Sequence, residues 1–156
     1  MVSKVEQRLR DLGLQLPSPP RAVANYVGAV RSGNLVFVSG HGPFRDGQFV
    51  YIGKLGRELD TKAGYEAARV VMLNCLASLK AEIGDLDKVT RIVKLLGMVN
   101  SAPDFGEQPY VINGASDLLT KIFGEDVGKH ARSAVGLGAL PFGISVEIEM
   151  IVEISD

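Results

Sequence analysis

Apolar residues recur at every second position from Ser145 to Ile154. Val146, Ile148, Met150, Val152 and Ile154 share one face, and Glu147, Glu149 and Glu153 take the other with Ile151 among them. Ala131 to Leu137 alternates too: Arg132, Ala134 and Gly136 point one way, and Ser133, Val135 and Leu137 the other. Gly138 to Gly143, with Leu140-Pro141 at its apex, reads as a turn. The two runs are therefore expected to pair as an antiparallel hairpin, in a register that sets Arg132 opposite Glu147.

Upstream the period changes. Tyr65, Ala68, Met72, Cys75, Leu79 and Ile83 fall three or four apart, which predicts a long helix from Thr61 to Ile83 ended by Gly84. Val89 to Val99 predicts a strand. Phe105 to Phe123 predicts a second long helix with Pro109 in its first turn. Tyr26 to Arg31 and Leu35 to Ser39 are strand-like and separated by Ser32-Gly33-Asn34, the spacing of a hairpin. Gln48 to Ile52 suggests a short strand, and Gly124 to Gly128 a loop. At the start, Ser3 can cap a helix through Leu12 that Gly13 ends, and Leu16 to Pro20 is too proline-rich to continue it. This divides the chain into an N-terminal helix and linker, 1–20, and one domain, 21–156. The element order predicts an α+β fold: a mixed sheet with both long helices packed on one face. The other face keeps apolar residues and has no helix left to cover it, so self-association is expected.

Composition narrows the functional classes. The 156 residues are 46% hydrophobic and 22% charged, enough for one well-buried core. A formal net charge of -1 argues against nucleic acid as the main partner. Cys75 is the single cysteine and cannot form an internal disulfide, which fits a reducing, cytoplasmic setting. No apolar run approaches the roughly 20 residues of a membrane span, and the N-terminus lacks the apolar centre of a signal peptide. His41 and His130 have no Cys or His companions at ligand spacing, so no metal site is expected. A phosphate-binding loop and a Gly-x-Ser-x-Gly elbow are both absent from the sequence. Cys75 falls on the buried helical stripe and reads as core.

Arg132 is the most informative residue. In a strand of small neighbours it is either a structural ion-pair partner or a bidentate clamp for a carboxylate. By pattern alone, Glu147 reads as one acid of a solvated row, Ser39 as a turn former and Tyr26 as a core or interface aromatic.

Arg132-Ser133, Leu140-Pro141 and Val146-Glu147-Ile148-Glu149 form a C-terminal signature, with Tyr26-Val27, Ser32-Gly33-Asn34-Leu35, Val38-Ser39-Gly40 and Asn74 ahead of it. Together they resemble the RidA/YjgF family, the reactive-intermediate deaminases once called L-PSP endoribonucleases. The resemblance implies a chorismate-mutase-like domain assembled as a homotrimer, with clefts between adjacent subunits. It implies hydrolysis of 2-aminoacrylate-type enamines and imines to 2-keto acids and ammonia, without a cofactor. Arg132 would bind the substrate carboxylate and Glu147 would position the attacking water. Tyr26 and Ser39 would line the pocket, and His41, which stands where the family often has Gln, would join them. His130 in place of Pro, Ala134 in place of Cys and the added N-terminal helix mark a divergent, longer branch. Two other readings remain open: a non-catalytic trimeric binder of a small carboxylate metabolite, and an endoribonuclease, which the net charge favours less.

Overall fold

A computed structural model describes residues 2–156. Strands β1 (Ala29–Ser32), β2 (Leu35–His41), β5 (Val89–Asn100), β6 (Ala131–Leu137) and β7 (Val146–Ile154) form one mixed sheet in the order β1-β2-β7-β5-β6. Strands β3 (Phe44–Arg45) and β4 (Gln48–Phe49) form a separate small hairpin. Helices α2 (Thr61–Ile83) and α3 (Gln108–Phe123) cover one face of the sheet. Helix α1 (Lys4–Asp11) and the short α4 (Glu125–Gly128) complete the chain. The architecture is the α+β layer expected from the sequence, with the alternating apolar row of β7 buried at its centre.

Capping explains the helix ends. The Asp60 carboxylate accepts from the Ala63 N–H at the start of α2, and Gly84 closes it at a positive φ of 87°. The second long helix begins at Gln108 rather than Phe105, because Pro109 in its first turn has no N–H to donate backwards. The expected loop at Gly124–Gly128 is instead one helical turn, α4. Helix α1 has 8 residues, too few to persist alone in water. It is held by Val5 and Leu9, both buried, and by Asp87, which accepts from Ser3 Oγ at 2.8 Å and from the backbone N–H groups of Lys4 and Val5 at 2.8 and 3.0 Å.

The C-terminal hairpin does not form. Strand β6 lies parallel to β5, and β7 pairs with β5 on its other side, so β5 separates them. Arg132 is beside Leu95, whereas Glu147 is beside Met98. The reason is the crossover: β5, α3 and β6 form a β-α-β unit, whose two strands must run parallel. Arg132 and Glu147 therefore cannot be cross-strand partners. The N-terminal hairpin does form, but Tyr26 lies outside it, since β1 begins at Ala29.

The face away from the helices is open. Phe37, 44% exposed, lies there with Val30, Val135 and Leu137, all exposed, and with Lys94, Leu96 and Ile151. Among the described residues no helix is long and apolar enough to cross a membrane.

Candidate functional site

Strand β2 carries a bulge. Val38 pairs with Met150 and His41 with Ile148, so three steps on β2 oppose two on β7. The extra residue turns His41 towards α2, while Ser39 and Gly40 stay on the side of Glu147. A Cβ on Gly40 would collide with the Glu147 carboxylate, so glycine makes room for that acid.

Tyr26, Ser39, His41 and Glu147 line one cavity of about 910 Å³ at this end of the sheet. Its wall includes Phe44, Phe49, Phe142 and Ile144, and its rim the segment 18–23. Burial raises the pKa of Glu147 above the ordinary carboxylate value, and the neighbouring charge of Glu149 adds to the rise. A carboxylate moved towards neutrality is suited to exchange protons with water. Ser39 Oγ donates to the Val27 carbonyl at 2.6 Å, tying the end of the irregular segment to β2. Tyr26 is 45% exposed.

His41 is nearly buried. Its Nδ1 lies 2.5 Å from the Ser39 carbonyl, which can only accept, so Nδ1 carries the proton. Nε2 then accepts from Ser78 Oγ on α2, at 2.7 Å. Burial lowers the His41 pKa, against a smaller opposing effect from the Ser39 carbonyl. The neutral ring forms part of the cavity wall.

Arg132 lies elsewhere. Its side chain turns to the helix side of edge strand β6, donating from one Nη to Ser116 Oγ at 3.0 Å and from the other to the Pro109 carbonyl at 3.1 Å. Ser116 in turn meets His130 Nε2 at 2.9 Å, and His130 Nδ1 donates to the Gly128 carbonyl at 2.7 Å. Burial lowers the pKa of Arg132, partly countered by the charge of Asp117. Within one chain, then, Tyr26, Ser39, His41 and Glu147 come together, and Arg132 stands apart on the opposite face of the sheet.

Asn74 serves the fold beside the cavity: its Nδ2 donates to the carbonyls of Gly42 and Phe44, at 3.1 and 2.8 Å, and so fixes the turn leading into β3. Cys75 is fully buried, and burial drives its thiol pKa strongly upward, away from the reactive thiolate. Sequence reasoning missed Ser78, Ser116 and the aromatic wall. A lone serine on a helix carries no signal of which histidine will reach it. Phe44, Phe49 and Phe142 are scattered over the chain. Among the described residues no group of three or more His, Cys, Asp or Glu is placed to hold a metal ion. A second groove of about 760 Å³, between α1, the proline-rich linker and α2, contains the Lys80–Glu6 ion pair but no comparable cluster of reactive groups.

The family model described as "YjgF/chorismate_mutase-like, putative endoribonuclease" matches residues 6–153. Protein TCP17 of Trypanosoma cruzi is 46% identical over 98% of this chain and 96% of its own length. Among solved structures, protein Atu1372 of Agrobacterium tumefaciens superposes with a TM-score of 0.91 at 47% identity, covering 97% of this chain and 93% of that one. A protein described as a "putative endoribonuclease" of Shewanella oneidensis MR-1 gives a TM-score of 0.93 at 33% identity, over 96% and 99%. The chain belongs to the YjgF/chorismate mutase-like family.

Proposed function

We propose that the protein hydrolyses 2-imino acids, and the enamines in equilibrium with them, to 2-keto acids and ammonia. The observation that carries this is the half-buried Glu147, its pKa raised, at the wall of a cavity large enough for a metabolite. Water bound to Glu147 attacks C2 of the protonated imine and gives up a proton to the carboxylate. The tetrahedral carbinolamine then takes that proton on nitrogen and expels ammonia as its C–N bond breaks, while its hydroxyl gives its proton back to the Glu147 carboxylate; the keto acid remains, and the proton passes on to ammonia to give ammonium. Every atom comes from substrate and water, so the reaction needs no oxidant or group donor.

The substrate also carries a carboxylate, and Arg132 is the group whose planar fork matches it. Since Arg132 and Glu147 occupy opposite faces in one chain, the clamp for each Glu147 comes from another copy. The open sheet face, with Phe37, Val30 and Ile151, supplies the apolar surface for association, and a cyclic trimer closes three such clefts. The family description contains the word endoribonuclease. However, Glu147 and Glu149 line the cavity with Arg21 as the basic residue among them, a balance that disfavours a phosphodiester backbone.

Subunit complementation tests the cleft. Arg132→Ala and Glu147→Gln are each expected to be inactive on 2-iminopropionate generated in situ by an amino-acid oxidase. Unfolding and refolding equal amounts of the two together gives a random population of trimers in which about a quarter of all clefts unite an intact Arg132 with an intact Glu147. Recovery of activity on mixing supports the shared site, and its absence argues against it. A sedimentation mass of one 16.7 kDa chain would rule out the trimer, and ligand-induced stabilisation without turnover would leave a carboxylate-binding protein.

A further inference from the structure

The cavity beside Glu147 is built unevenly. Phe44 and Phe49 meet edge to face at 5.3 Å, and Phe49 stacks on Phe142 at 5.5 Å with the rings 19° apart. Phe44 and Phe49 lie on the paired strands β3 and β4, and Phe142 lies in the turn before β7; all three line this cavity. Room for them is specific: a Cβ on Gly42 would come within 2.8 Å of Ile144 and 3.1 Å of Phe49. Phe142 remains 66% exposed and sits at a φ of 60°, a conformation that a bulky side chain seldom adopts. An exposed aromatic held in an unfavourable backbone conformation, at the rim of a cavity and stacked on a second ring, is arranged to contact something other than its own chain.

A single chain leaves about 910 Å³ here, and a three-carbon imino acid bound at Glu147 fills little of whatever part of that space another copy leaves open, so water stays against these rings. A benzyl or isobutyl group would displace that water and lie along Phe49 and Phe142. We propose that this site selects 2-imino acids with large apolar side chains, aromatic ones above all, and that Phe142 and Phe49 determine the preference. The proposal rests on the deaminase reading for its reaction, and on the cavity wall for its substrate class.

The test compares imines generated in situ from alanine, leucine and phenylalanine, with keto-acid formation followed in each case. The expected kcat/KM is at least about tenfold higher for the phenylalanine-derived imine than for the alanine-derived one, and Phe142→Ala reduces that ratio about tenfold. Equal kcat/KM values for all three imines in the wild type would overturn the preference and leave the deaminase reading intact. If the wild type hydrolyses none, the deaminase reading fails, and calorimetric binding of phenyllactate against lactate decides the substrate class. Phenyllactate binding at least about tenfold tighter, lost in Phe142→Ala, upholds it, whereas equal affinities or no binding overturn it. Sedimentation of Phe142→Ala gives a further control: a variant that loses its assembly state while the wild-type ratio survives makes Phe142 a subunit contact and overturns its role in selection.

Discussion

His41 and His130 share a hydrogen-bond frame. Each donates from Nδ1 to the carbonyl two residues before it, Ser39 for one and Gly128 for the other. Each accepts at Nε2 from a serine on a covering helix, Ser78 on α2 and Ser116 on α3. In both, burial lowers the pKa and keeps the ring neutral. The difference lies in what else reaches the serine. Ser78 is buried, packed close to Gly28, and among the described residues its hydroxyl serves only His41. Ser116 is only half-buried, and its hydroxyl also accepts from Arg132. The same local device is therefore structural on β2 and a tether for a cationic side chain on β6. A histidine's hydrogen bonds do not reveal its role until the third partner is known.

Removing the third partner should give the largest separation between the two regions. With Arg132 in its proposed role as the carboxylate clamp, Arg132→Ala is expected to lower kcat/KM for imino acids about a hundredfold or more through loss of that charge-assisted contact. Its melting temperature should change little, as Arg132 holds only one hydroxyl and one carbonyl at a sheet edge. Activity assays and thermal melts on the same samples check both halves, and a large drop in melting temperature would make Arg132 a structural residue.

His41→Ala should show the reverse emphasis. It leaves Ser78 Oγ without its partner in a buried place and frees the half-buried Ser39 carbonyl, at a cost of about 1–3 kcal/mol by denaturant unfolding. Ser116→Ala, at the other pair, should cost about 0.5 kcal/mol or less of stability and raise KM a few-fold with kcat held. Equal stability losses at the two sites would erase the distinction.

The smallest expected effect is in pH. Both histidines have folded pKa values below the free value near 6.5, so the unfolded chain binds their protons first. Their contribution to stability is fully present above about pH 6.5 and is lost as pH falls through the lower folded values. Glu147 works in the opposite sense, since its folded pKa is raised above the ordinary carboxylate value. Melting temperature should thus be level from pH 7 to 8 and decline below about 6.5, and His41→Gln should flatten part of that decline. An unchanged pH profile in His41→Gln would remove His41 as a source of the acid sensitivity.

The two long helices were legible because each buries a continuous stripe whose period is written in the chain. The limits Thr61 and Ile83 follow from that stripe and from Gly84. Strand β7 was legible for the same reason, its alternation reflecting one buried face. Tyr26, Ser39, His41 and Glu147 were named from the family resemblance, and the structure brings them to one cavity. Pairing was another matter. Sequence proximity favoured a hairpin between β6 and β7, but α3 packed on the sheet sends β6 to the far side of β5 as a parallel neighbour. That crossover, together with the bulge at Ser39-Gly40, decides which side chains share a face. Periodicity records whether a residue is buried. Which residues meet depends on strand order and register, which are set by packing between segments far apart in the chain. The separation of Arg132 from Glu147 was therefore decided only by the tertiary structure.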